Sequence, residues 1–160
     1  MPANVSLNTI ESFLSQKRIA LVGISRQPQD IGKSLLEELR QRGHEVFPIN
    51  PAVSEIFGQR CFARLQEIQP PPDAALILTS PSVTNSVVRD CAAAGVKHVW
   101  MYRAGARTQG SVSEEAVQFC RDHGIEVVPG QCPFMYLSPV RHVHWVHRLI
   151  FKIKGRYPSK

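Results

Sequence analysis

The residues with the clearest chemical potential sit where short apolar runs end. Arg18-Ile19-Ala20-Leu21-Val22 stops at Gly23-Ile24-Ser25. A polar stretch, Arg26 to Asp30, leads to Ile31-Gly32-Lys33-Ser34-Leu35-Leu36-Glu37-Glu38-Leu39 at helical spacing. Such a run reads as a strand buried on both faces. Strand, glycine turn and helix in succession bring backbone N–H groups and the positive end of a helix dipole to a point where a phosphate can meet them. The pattern predicts a nucleotide-binding α/β unit.

The spacing narrows the choice of nucleotide. A dinucleotide fingerprint has glycines at G-x-G-x-x-G, whereas Ser25 fills the second position and the next glycine is Gly32. The second apolar run, Glu45-Val46-Phe47-Pro48-Ile49, ends in Asn50-Pro51, which offers no carboxylate to a ribose 2′-hydroxyl. NAD is therefore disfavoured. Gly32-Lys33-Ser34 matches only the last three positions of a P-loop, because Gln27 stands where the first glycine is required.

Two further groups are candidates for chemistry. Cys132, before Pro133, would become reactive if a helix N-terminus lowered its pKa, and a disulfide with a thiol ligand would then be open to it. With no base beside it in sequence, packing in the turn is the favoured role. His142, His144 and His147 form H-x-H-x-x-H, but a regular helix turns His142 away from the other two, so a metal site is disfavoured.

The elements that must position these residues repeat the first unit. A short helix over Leu7 to Leu14 precedes the first strand. The second strand is followed by a loop from Pro51 to Gly58, a helical turn from Ala63 to Ile68, and Pro70-Pro71-Pro72. A third strand runs from Ala74 to Thr79, then a helix from Val83 to Ala94, a strand from Lys97 to Met101, a helix from Ser113 to His123 and a strand from Ile125 to Val128. Alternation of this kind predicts a Rossmann-like parallel five-stranded sheet with helices on both faces. Ligands of such sheets lie beyond the carboxyl ends of the strands. Those ends carry Gly23, Ile24 and Ser25, Asn50 and Pro51, Thr79, Ser80, Pro81 and Val83, and the turns Tyr102-Arg103-Ala104-Gly105 and Gly130-Gln131-Cys132-Pro133, with Arg26, Gly32 and Lys33 close by in sequence. They lack a nucleophile with its base, paired carboxylates or a metal cluster, so the edge reads as a binding site.

Composition sets the frame. With 160 residues, 43% of them hydrophobic, the chain suits one core. No run is apolar enough to cross a bilayer, and the start lacks a signal-peptide pattern. The four cysteines form no C-x-x-C pair, which fits reduced thiols and a cytoplasmic setting. All 13 acidic residues precede position 127, and 13 basic residues before position 141 balance them. The net +6 therefore belongs to the last twenty residues. Val143, Val146, Leu149, Ile150 and Ile153 supply a docking stripe there, so a basic C-terminal helix packed on the domain, or across a homodimer, is expected ahead of a nucleic-acid-binding tail.

Val22-Gly23-Ile24-Ser25, Gly43-His44-Glu45-Val46-Phe47-Pro48-Ile49-Asn50-Pro51, Gly58 and Gly130-Gln131-Cys132-Pro133 carry a family resemblance. In this order they resemble the small CoA-binding domain proteins, relatives of the N-terminal domain of the succinyl-CoA ligase α subunit. The resemblance runs from about residue 12 to 137, so a CoA-binding domain is expected over residues 1–137. The resemblance does not account for residues 138–160, expected as a basic helical extension. It implies that coenzyme A, free or acylated, lies over the strand ends. Gly23, Ile24 and Ser25 would then face its phosphates, with Arg26 and Lys33 nearby. Asn50 and Pro51 would border the adenosine, and Ser80, Pro81 and Val83 would form the opposite wall. A site with cations and no carboxylate after the second strand suits the phosphates of CoA. The phosphorylated histidine of the ligase belongs to a second domain, so the resemblance points to a binding module without catalysis of its own. The alternative is a nucleotide-dependent enzyme subunit: an NAD(P) oxidoreductase, or a CoA ligase subunit that needs a protein partner.

Overall fold

The structure is a computed structural model that describes residues 5–27, 30–105 and 107–137. It begins with α1 (Leu7–Leu14), β1 (Arg18–Val22), α2 (Ile31–Gln41) and β2 (Glu45–Ile49). A hairpin of β3 (Glu55–Ile56) and β4 (Gln59–Arg60) follows, then a 3₁₀ turn at Leu65–Glu67. The remainder is β5 (Ala74–Ile77), α3 (Pro81–Ala93), β6 (His98–Tyr102), α4 (Glu114–Asp122), β7 (Glu126–Gln131) and a 3₁₀ turn at Pro133–Met135.

The central strands are buried at nearly every position because helices cover both faces of the sheet. Side-chain alternation divides β1 between two cores. Ile19 and Leu21 point to α1, α2 and the final 3₁₀ turn, while Ala20 and Val22 point to α3 and α4. On the first face the Trp100 ring packs edge-on to Phe13 and Tyr136, at centroid distances of 5.3 and 5.9 Å. Its indole N–H donates to the Gln131 carbonyl at 2.9 Å, so a large buried ring keeps its polar atom satisfied.

All five strands of the main sheet are parallel, in the order β2-β1-β5-β6-β7. The chain leaves β1 in one direction to reach β2 and then returns past it to β5. The crevice where this reversal occurs, between the carboxyl ends of β1 and β5, is where open α/β sheets bind ligands.

The five strands and two-sided helical cover match the sequence reading, with local differences. The expected loop from Pro51 to Gly58 contains a strand of the small hairpin. The expected helical turn from Ala63 to Ile68 is one short 3₁₀ turn. α3 starts at Pro81 rather than Val83, since proline is well suited to the first helical position. The expected C-terminal helix, with His142, His144 and His147, lies outside the described residues.

Candidate functional site

The turn after β1 is built around Gly23. Its φ of +87° favours glycine, and a Cβ there would sit 2.7 Å from Thr79 Cγ2 and 3.0 Å from the Thr79 nitrogen. The first turn thus lies directly against the residues that follow β5. Ile24 is wholly buried beneath it. It packs so closely against the start of α2 that a Cβ on Gly32 would meet Ile24 Cγ1 at 2.8 Å.

The start of α2 differs from the phosphate seat that the sequence pattern suggests. Asp30 is its N-cap, and the carboxylate accepts from the Gly32 N–H at 3.0 Å and from the Ser25 hydroxyl. An internal anion already occupies the positive end of this dipole. Ser25 is committed to the same carboxylate, and its oxygen also accepts from the Gln27 N–H at 3.3 Å. Arg26 is exposed, and the Lys33 ammonium lies 5.4 Å from the Phe57 ring centroid and 3.9 Å from Glu37.

Asn50 ties two turns together. Its amide donates to the Ile24 carbonyl at 2.9 Å, and its side-chain oxygen accepts from the Ala52 N–H at 2.9 Å. Beside it a cleft of about 340 Å³ opens at the ends of β1, β2 and β5 and continues between residues 63–65 and α3. Of the sequence-predicted residues it brings together Gly23, Asn50, Pro51, Thr79 and Val83. Ser25, Arg26, Gly32, Lys33, Ser80 and Pro81 are not among its lining, and Ile24 has no exposed surface at all.

The sequence reading missed Arg64 and Asp90. They line the cleft and approach each other at 3.4 Å, although they are 26 positions apart. Only the fold of the segment after the hairpin onto α3 unites them, so no local spacing announces the pair.

α3 opens differently from α2. Ser80 stands at its N-cap without a side-chain capping bond, Pro81 follows, and the first turn contains no acidic residue. The Thr79 and Thr84 hydroxyls pair at 2.9 Å, and Thr84 also donates to the Ser80 carbonyl at 3.0 Å. The Ser82 and Val83 N–H groups therefore begin a helix that no side chain caps, and Val83 presents 47% of its surface beside the cleft. An uncapped helix start, an apolar wall and a cleft fit a ligand that carries both phosphate and apolar parts, as CoA does.

The thiols are poorly suited to nucleophilic chemistry. Burial pushes the Cys132 thiol above its ordinary value, against weaker opposing hydrogen bonds from the Phe134 and Met135 backbone. This is the reverse of the lowered pKa that a reactive Cys132 would need, and the residue packs in the core with Met135 and Leu137. Burial likewise raises Cys61, with the Asn50 backbone hydrogen bond and the Arg26 charge acting against it.

Comparison with known proteins accords with this geometry. A family described as a CoA binding domain matches residues 17–138. Among curated relatives, an ADP-forming acetate–CoA ligase of Methanocaldococcus jannaschii is 25% identical over 72% of this chain, which spans only 17% of that protein. The protein YneT of Bacillus subtilis is 28% identical, with 81% of this chain and 92% of YneT covered. Among solved structures, a conserved hypothetical protein of Pyrococcus furiosus superposes with a TM-score of 0.63 at 32% identity, over 72% of this chain and 95% of that one. The dinucleotide-forming acetyl-coenzyme A synthetase 1 of Ca. Korarchaeum cryptofilum gives 0.64 at 30% identity, over 76% of this chain and 27% of that one. The chain belongs to the CoA-binding domain family.

Proposed function

We propose that residues 1–137 form a module that binds CoA or acyl-CoA and has no catalytic activity of its own. The observation that carries this reading is the pairing, at the sheet's switch point, of the cleft with the uncapped start of α3. Gly23 and Thr79 would form the floor beneath the ligand, Asn50 and Pro51 one wall and Val83 the other, with Ser80 and Pro81 outside the cleft at the open start of α3. Arg26 and Lys33 would supply cations at the rim. Ile24 supports the floor from below. Raised pKa values at Cys61 and Cys132 favour binding over nucleophilic catalysis by these thiols.

Thermal melting with CoA, acetyl-CoA, NAD, NADP and ATP tests the proposal. We expect the midpoint to rise with CoA and acetyl-CoA and to keep rising with ligand concentration, as linkage requires. A rise only with NAD or NADP, or none with either CoA species, would refute it. A second reading is favoured by the ligase relatives, of which this chain spans 17–28%. As one subunit of such an enzyme, it would co-purify with a partner chain, and CoA ligation would appear only in the pair.

A further inference from the structure

A second cavity, of about 640 Å³, opens at the carboxyl ends of β6 and β7 and shares no residue with the first cleft. Its distinguishing group is Arg103. The Arg103 backbone N–H donates to the Gln131 carbonyl at 3.3 Å, and the Ser111 N–H donates to the Tyr102 carbonyl at 2.7 Å. These bonds fold the loop after β6 back on itself. Gly110 makes the return possible: its φ is +59°, and a Cβ there would meet the Tyr102 carbonyl oxygen at 2.4 Å and Arg103 Cα at 2.9 Å. The guanidinium lies beside Gly130, one terminal nitrogen 3.7 Å from where a Cβ on that residue would be. Arg103 is thus held in place by backbone on two sides.

Among the described residues its guanidinium forms no ion pair. The Arg103 Nε is enclosed without a hydrogen-bond partner. Arg18 makes a useful contrast. Its Nε is also enclosed, but its terminal nitrogens donate to Glu45 and to the Pro70 carbonyl, the latter at 2.7 Å. A partly desolvated cation without a directly paired anion is costly, and an anionic ligand offsets that cost.

The rest of the lining selects among anions. Val112, Val117 and Pro129 provide an apolar side for an aliphatic body. The Tyr136 hydroxyl donates to the Gln131 side-chain oxygen at 2.9 Å, which leaves the Gln131 amide hydrogens as donors. Arg121 adds a second positive charge and Glu114 one negative charge, a balance that suits a single carboxylate better than a multiply charged phosphate. A guanidinium fork also matches a planar carboxylate.

We infer that this cavity is a carboxylate subsite, with Arg103 as its anchoring cation. The carboxylate has two possible sources: the far end of a dicarboxylic acyl chain on bound CoA, or a free short-chain acid. The first source rests on the CoA-binding reading above. It is sterically reasonable, because β7 lies two strands from β5 on the same sheet edge, roughly 10 Å away.

Titration calorimetry on the full chain tests the inference with two pairs matched in chain length. Glutaryl-CoA is compared with pentanoyl-CoA, and pentanoate with pentanamide, on wild type, Arg103→Gln and Arg103→Lys. We expect glutaryl-CoA to bind about tenfold tighter than pentanoyl-CoA to wild type. That preference should vanish in Arg103→Gln and shrink in Arg103→Lys, with pentanoyl-CoA binding in each variant reporting an intact fold. An Arg103-dependent preference for pentanoate over pentanamide, with none between the thioesters, assigns the subsite to a free acid. If it appears while no thioester binds, the subsite stands and the CoA reading falls. Equal affinities within both pairs, no binding at all, or a preference that survives in Arg103→Gln overturns the subsite.

Discussion

α2 and α3 both start at the carboxyl edge of the sheet, and their first turns can be aligned position by position. Asp30 corresponds to Ser80 at the cap, Gly32 to Ser82 at the second helical residue and Lys33 to Val83 at the third. At α2 a carboxylate accepts the Gly32 N–H, and Ile24 fills the space a side chain at Gly32 would need. At α3 the cap makes no side-chain bond, and Ser82 and Val83 are exposed. One helix start is closed by the protein's own anion and the other is open to an external one. The strand-glycine-helix signal therefore marks the fold at α2, while the phosphate-binding potential is greater at α3.

The harshest way to break the comparison is to disturb the turn that joins its halves. Gly23→Ala places a methyl group against Thr79, both its side chain and its backbone, at a φ of +87°. Left-handed backbone costs roughly 1–2 kcal/mol for a residue with a Cβ. Overpacking adds about 1–3 kcal/mol. We expect a loss of about 3 kcal/mol in urea unfolding, with CoA affinity reduced in whatever folded fraction remains. Wild-type stability in this variant would mean that the two turns separate easily.

Exchanging charge between the helix starts sharpens the comparison next. Ser80→Asp installs at α3 the kind of anion that α2 already has. It should stabilise the protein alone by about 0.5 kcal/mol and weaken CoA binding about tenfold. Asp30→Asn keeps a capping oxygen but removes the charge, so stability should stay within about 0.5 kcal/mol and CoA affinity should rise only about threefold. Calorimetry on both variants decides which helix meets the phosphates. A larger response at Asp30 than at Ser80 would move them back to α2.

Much of this molecule was legible in its sequence, for identifiable reasons. Strands such as Ile19 to Val22 and Ala74 to Ile77 are buried on both faces, so their apolar runs stand out without any partner in view. Gly23 was legible because an apolar run stops there abruptly. The role of Asp30 was not, since a cap is defined by where the chain enters the helix, and polar residues surround it on the N-terminal side. Asn50 read as a ligand contact and does line the cleft. No local signal shows that its side chain also braces the Ile24 carbonyl, 26 positions away. Arg64 with Asp90 is a product of topology, since no short window of sequence contains both. The turns of Arg103 and Gly130 could be placed on one sheet edge from the alternation of strands and helices, but their contact depends on the order of the strands.

The gentlest comparison concerns the second residue of each helix. Gly32→Ala gains about 1 kcal/mol of helix propensity. The new Cβ, however, meets Ile24 Cγ1 at 2.8 Å and Leu78 Cδ1 at 3.3 Å, and Ile24 is wholly buried, with little room to yield. Crowding of about 2 kcal/mol exceeds that gain, so the net change should be a destabilisation of about 1 kcal/mol. Ser82→Ala carries a favourable propensity change with no buried neighbour to displace, so its effect should lie within about 0.5 kcal/mol of zero. Parallel thermal and urea melts of the two variants give the answer. A neutral Gly32→Ala would show that Ile24 adjusts, and the tight seam between β1 and α2 would no longer explain why α2 is closed and α3 open.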